Sequence, residues 1–289
     1  MIIKRLFFAL SVLWICTSCG KSQPAFTEKD CIMDPQDREI AEQFFSQTAG
    51  LRGLSTGELV VKAGKFLLGT PYVGQTLEVS DSEKLVINLR ELDCTTFAEN
   101  CLALARTLRM KKPEFDDFAR QLQFIRYRDG IRNGYPSRLH YFSDWIYDNN
   151  RKKTVKDMSQ EIAHTLIPNL VNFMTTHKKN YPALTNNPDF MSTMAGLEAE
   201  ISGRMTWFIP KNNLPEFEDK LNDGDILGIT TDIEGLDISH VVVALRIDGR
   251  IRFIHASSTE RKVVISDEPL FDYLSRSKMS SGIMVARPL

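Results

Sequence analysis

Three residues of this sequence have the types and settings for nucleophilic chemistry. Cys94 follows Asp93, and His240 and His255 each lie in an apolar run rich in β-branched residues. A cysteine attacks a carbonyl as its thiolate, so it needs a base to take its proton and a partner to orient that base. Cys94, His240 and His255 fill those parts in the order nucleophile, base, orienter. Two histidines also suit a zinc ion, but no third and fourth ligand stand at metal spacing, so neither a metal nor another cofactor is expected.

These residues must be positioned by regular elements. After Cys94 the apolar residues Phe97, Cys101, Leu104 and Leu108 recur at offsets of 3, 7, 10 and 14, one face of a helix. Asp93 as N-cap would place Cys94 in the first turn, where unpaired N–H groups and the positive dipole end lower a thiol pKa. A lone cysteine is more often a small buried hydrophobe, and Cys101 on the apolar face fits that description. The two histidines fall on runs 239–245 and 251–257, joined by an Asp248-Gly249 hairpin. Pairing about that turn sets His240 near residues 256–257, and so near His255.

Two serine motifs are set aside. Gly53-Leu54-Ser55-Thr56-Gly57 matches G-x-S-x-G, yet that elbow needs a strand before the serine, and here a helix precedes it. Ser55 and Glu58 read instead as a capping box. Ser275-Arg276-Ser277-Lys278 matches S-x-x-K without its companion motifs.

The chain has 289 residues, 43% hydrophobic and 25% charged, with net charge −1. That is globular composition, and the charge gives no field for nucleic acid. Helical spacing marks residues 34–49, 57–68, 113–127 and 162–179; Leu139, Phe142, Trp145 and Ile146 fit a further helix. Residues 181–189 read as a loop. Gly69 and Pro71 end the second helix and hold Tyr72 on a rigid turn. After residue 200 the period turns to alternation, giving six strands over 205–209, 226–230, 239–247, 251–257, 262–265 and 282–287. The expectation is an α+β domain, with a helical first half on a roughly six-stranded antiparallel sheet.

The N-terminus reads as a leader. Lys4 and Arg5 precede an apolar run of ten residues, 6–15, too short to span a bilayer. Thr17-Ser18-Cys19-Gly20 resembles a lipobox, with Cys19 the lipidated residue; a cleaved signal peptide is the other reading. Both export the protein, and one diacylated end would anchor it to a membrane. Residues 1–19 are then leader, 20–33 a tether, and 34–289 one domain with a helical insertion at about 111–200. Cys94 and Cys101 would stand about 10 Å apart on one helix, beyond disulfide reach. Cys31 lies in the tether, so no structural disulfide is expected. A free thiol in an oxidising compartment favours a functional reason for Cys94.

Five motifs in order carry a resemblance: Leu68-Gly69-Thr70-Pro71-Tyr72, Asp93-Cys94, Gly224-Asp225-Ile226, His240-Val241 and Ile254-His255-Ala256. Together they resemble the NlpC-like, papain-fold cell-wall hydrolases. The segments Ser137-Arg138-Leu139-His140-Tyr141, Asp144-Trp145-Ile146, Trp207-Phe208-Ile209-Pro210-Lys211 and Gly235-Leu236-Asp237-Ile238-Ser239-His240 resemble its N-acetylmuramoyl-L-alanine amidase-like branch. The resemblance implies a periplasmic enzyme, expected as a monomer, that cuts peptidoglycan fragments (muropeptides, with an anhydro sugar as one option). Cys94 would be the nucleophile, His240 the base and His255, at the family's variable third polar position, the orienter. Tyr72, Arg138, His140, Tyr141 and Ser239 would bind substrate, the aromatic insertion forming the sugar-side wall. Rival readings are a γ-D-glutamyl stem-peptide endopeptidase, a peptidoglycan-binding lipoprotein without catalysis, and a transglutaminase-like acyl transferase using Asp248 or Asp267.

Overall fold

The computed structural model describes residues 31–168 and 170–289; the leader and Cys19 lie outside them. β1 (Cys31–Ile32) pairs in parallel with β2 (Leu85–Val86), so Cys31, expected in the tether, takes part in the fold. α1 (Pro35–Thr48) and α2 (Thr56–Phe66) each start at a capping box, on Asp34 and Ser55. The G-x-S-x-G match is therefore a helix start and not a nucleophile elbow. α3 (Cys94–Leu108) starts at Asp93, whose carboxylate accepts the Thr96 N–H at 2.7 Å. α4 (Phe115–Arg126) packs beside it.

The middle of the chain departs from expectation. α5 (Phe142–Arg151) is preceded by extended backbone through Arg138 and Tyr141, so the chain enters it later than the aromatic spacing suggests. β3 (Val155–Asp157), α6 (Ser159–Ala163), β4 (Thr165–Ile167) and α7 (Phe173–Thr176) replace the long helix expected over 162–179. His164 breaks it by adopting a left-handed backbone at φ 50°. α8 (Pro182–Thr185) and α9 (Pro188–Ser202) then occupy a stretch whose first part, 181–189, is expected from sequence as a loop. Asn187 caps α9 and Pro188 opens it, an N-terminal signal that was present in the sequence.

The strand half agrees with its pattern. β5 (Thr206–Pro210), β6 (Ile226–Thr231), β7 (Ile238–Ile247), β8 (Arg250–Ser257), β9 (Lys262–Ile265) and β10 (Ser280–Pro288) are the six expected strands. α10 (Leu214–Phe217) and α11 (Leu270–Arg276) interrupt them. β3 and β4 bring the antiparallel sheet to eight, in the order β4-β5-β10-β6-β7-β8-β9 with β3 also on β10. Each of those two is three residues long, too short to show a period.

Both faces of this sheet are covered, which is why Val241-Val242-Val243-Ala244-Leu245 is continuously apolar. Val241, Val243, Ile254 and Ala256 join the core beneath α2 and α3. Ile229, Val242, Ala244 and Phe253 join a second core with Leu270 and Leu274 of α11. The turn into β6 meets α2 at contact distance: a Cβ on Gly224, at φ 84°, would lie 2.0 Å from the Gly57 carbonyl oxygen. Asp225 beside it is buried and holds Arg287 with two bonds of 2.8 Å. The Gly224-Asp225 motif thus fixes the sheet against the helices.

Candidate active site

α3 carries Cys94 at its first position, so the thiol is presented at a helix N-terminus. The backbone N–H groups of Val241, the residue after His240, and of Thr95 lie close enough to the sulfur to favour its anion. Thr95 Oγ1 lies 4.0 Å from Sγ. These contacts favour a thiolate, but the environment as a whole does not. Burial and then the Asp93 carboxylate push the thiol up to about 11. The expected lowering at the helix start is outweighed because desolvation disfavours the anion and the capping residue is itself an anion.

His240 and His255 lie on the same face of the sheet. The β7–β8 register sets Val243 opposite Ile254; carried three residues further it would set His240 opposite Ser257, diagonal to His255. The rings meet at a T-shaped angle of 78°, with His240 Nε2 2.6 Å from His255 Nδ1. Phe253 and Tyr273 stand edge-on to His255, with ring centroids 4.8 and 6.4 Å away. Burial, and then the neighbouring His255, pull His240 down to about 3. Burial brings His255 to about 4. Near neutral pH the resting site therefore holds a neutral thiol and two neutral imidazoles.

The tautomers follow from one bond. If His240 is to receive a proton at Nδ1, its Nε2 must carry hydrogen and donate to His255 Nδ1. His255 then carries its own hydrogen on Nε2. The two-histidine arrangement is self-consistent without a carboxylate.

The other expected site residues divide into two groups. Tyr72 is near the thiol: burial, then a Cys94 thiolate and Asp93, raise its phenol. Leu92, two residues before Cys94, donates its N–H to Pro71 and is bridged to Tyr72. Ser239 lines the same cavity as the two histidines. Arg138, His140 and Tyr141 lie away from the histidine cavity, and Arg138 lines a separate one with Glu78, Glu83 and Tyr135. Arg138 is buried, with Nε and Nη2 on Glu83 at 3.1 and 2.7 Å and Nη1 on Glu78 at 2.6 Å. His140 Nε2 lies 3.0 Å from the Tyr135 carbonyl, and burial and then Arg138 pull its pKa down to about 3. The Tyr141 hydroxyl donates to Glu198 at 2.7 Å and accepts the Met174 N–H at 3.0 Å.

Tyr273 is the residue sequence reasoning missed. It lines the cavity with both histidines, and burial, then a charged Cys94, raise its phenol. Only the spacing of Leu270 and Leu274 hinted at its helix. Among the described residues no cluster of three metal-binding side chains occurs.

A family model described as AmiA-like, N-acetylmuramoyl-L-alanine amidase-like, matches residues 62–283. The chain is similar to an N-acetylmuramoyl-L-alanine amidase from Bacteroides uniformis, with 38% identity and a TM-score of 0.78 over 81% of this chain and 98% of that one. It is also similar to a suspected xylanase from Bacteroides fragilis, with 40% identity and a TM-score of 0.75 over 78% and 99%. LPG0564 of Legionella pneumophila shares the fold, at 21% identity and a TM-score of 0.65 over 88% and 95%. No curated protein matches.

Proposed function

We propose a thiol mechanism from the premise that the chain belongs to the AmiA-like, N-acetylmuramoyl-L-alanine amidase-like family. The reaction is hydrolysis of the amide between the lactyl group of N-acetylmuramic acid and L-alanine in muropeptides. The observation that carries this reading is the His240–His255 bond of 2.6 Å beside the Val241 backbone that favours a Cys94 anion. A helix offering a thiol to a histidine on an antiparallel sheet also supports placing the domain in the papain-like, NlpC-like class.

The steps follow from the resting charges. Sγ attacks the lactyl carbonyl as its proton passes to His240 Nδ1, so thiolate and imidazolium arise together rather than beforehand. His255 accepts from the Nε2–H of that imidazolium and holds its orientation. The Cys94 N–H, at the start of α3, would bind the developing oxyanion. His240 then protonates the leaving amine, the C–N bond breaks, and a thioester remains on Cys94. Water, deprotonated by His240, hydrolyses the thioester and returns the proton to sulfur. Xylan cleavage, suggested by one relative's name, ordinarily uses two carboxylic acids; the cavity at the histidines has none among the described residues.

The leader motif adds a location: export, with a lipid on Cys19 and the domain facing peptidoglycan in the periplasm. Mass spectrometry of defined muropeptides incubated with the chain from residue 20 onward, beside Cys94→Ala, tests the reading. Free sugar plus a peptide beginning at L-alanine, both lost in the variant, is the expected result. Cleavage after γ-D-glutamate would make the chain an endopeptidase of the same mechanism. No cleavage would leave a binding protein.

A further inference from the structure

The cavity at the histidine pair has a volume of about 190 Å³ and is chemically uniform. Hydroxyls of Ser257, Ser258, Thr259, Tyr273, Ser277 and Ser280 line it. Among the described residues its lining has no carboxylate, ammonium or guanidinium. Ser257 Oγ and Ser277 Oγ accept backbone N–H groups from Glu260 and Ser280 and keep their O–H free to donate. The hydroxyls of Ser258, Thr259, Tyr273 and Ser280 make no hydrogen bond to another described residue. This is a cluster of donors for a ligand rich in acceptors. Its size is below the roughly 300–1,000 Å³ of pockets for drug-sized ligands, which suits one or two residues and not a whole stem peptide.

The cavity also has a side. His240 and His255 line it, and Cys94 does not. In acyl transfer to a thiol the acyl half becomes bonded to sulfur, while the leaving amine must reach the imidazole that protonates it. Space that opens on the imidazoles lies with the leaving group.

We infer that this hydroxyl-lined cavity is the leaving-group subsite, and that it takes the start of the stem peptide, L-alanine followed by γ-linked D-glutamate. The inference rests on the amidase reading above. The hydroxyls donate to the peptide carbonyl and to the free α-carboxylate of the glutamate. The sugar then extends the other way from the sulfur, on the Tyr72 side.

The test uses the full chain carrying Cys94→Ala, which binds without turnover. It is titrated by calorimetry with L-alanyl-γ-D-glutamate and, separately, with N-acetylmuramic acid. Tyr273→Phe and Thr259→Val are added singly; each removes one hydroxyl with little change of shape, and Thr259 is exposed in a turn, where folding is least at risk. The dipeptide Kd is expected to rise about tenfold in each, the size of one hydrogen bond to a charged group, with the sugar Kd within about twofold. A loss confined to the sugar would put the cavity on the acyl side and overturn the inference. Unchanged dipeptide affinity, or no dipeptide binding at millimolar concentration, would overturn it equally. Failure of the amidase reading shows elsewhere, as cleavage after γ-D-glutamate or none by the Cys94 protein.

Discussion

His240 Nε2 and His255 Nδ1 stand 2.6 Å apart and burial keeps His255 neutral, so in the proposed mechanism a neutral imidazole, rather than a carboxylate, orients the base. Removing His255 leaves the His240 ring free to turn and to hold its hydrogen on the wrong nitrogen. His255→Ala is expected to lower kcat by about 10²–10⁴-fold, the range seen when a triad orienter is lost, with KM little changed. His255→Asp should recover part of that loss and raise the pKa of His240, because an anion favours the imidazolium. Steady-state kinetics on a muropeptide decide it; a His255→Ala enzyme of unchanged kcat would remove the orienter role.

The resting charges set a pH profile unlike that of a thiolate–imidazolium pair. His240 is held near 3 and His255 near 4, so protonation disables the base only in acid. Cys94 sits near 11, so its thiol keeps its proton through ordinary alkaline conditions. The free-enzyme profile, kcat/KM against pH, should therefore be flat from about 5 to 9. A preformed ion pair would fall off as an imidazolium lost its proton within that window. An alkaline limb near 8 that follows His240 would sink the neutral-pair description.

Alkylation reads the same chemistry without substrate. An ordinary cysteine has a pKa near 8.5, and Cys94 lies near 11. Burial raises the thiol by about two pKa units, so at pH 7 its thiolate fraction should be on the order of 100-fold lower than that of an ordinary thiol. Iodoacetamide should label Cys94 slowly in the free enzyme, with a rate that still rises tenfold per pH unit at pH 9. Fast labelling that is independent of pH between 6 and 8 would show a thiolate already present.

The parts of this site that were legible in the sequence are those fixed by local rules. Asp93 caps α3 because its carboxylate answers the N–H of Thr96, and that alone places Cys94. The hairpin at Asp248-Gly249 sets the β7–β8 register, and that places the histidines on one face. What was not legible depends on distant packing. Arg138, His140 and Tyr141 look like a polar cluster in sequence, yet Glu78 and Glu83, 60 and 55 residues away, take the guanidinium. Tyr273 enters the site only because α11 covers the face that carries His255. The thiol is raised, and not lowered as the helix start alone predicts, for the same reason: the helix end is local, and the burial that outweighs it is not.

The helix that presents Cys94 is held from behind by a buried ion pair, and this gives a stability prediction. Glu99 Oε2 on α3 lies 2.6 Å from Arg126 Nε on α4, and both residues are almost fully buried. Arg126 Nη1 also donates to the Val86 carbonyl at 2.6 Å, which ties β2 to the same point. Glu99→Ala leaves a guanidinium without its counter-charge inside the core, which costs about 3–5 kcal/mol. The paired change Glu99→Leu with Arg126→Met removes both charges and should cost much less, since two buried ions lose little when replaced together by apolar groups. Its remaining cost is the Val86 carbonyl left without that donor, about 1–3 kcal/mol. Urea denaturation of the three proteins measures the order. If the double variant is less stable than Glu99→Ala, the pair contributes by its own attraction and not by avoiding an unpaired charge.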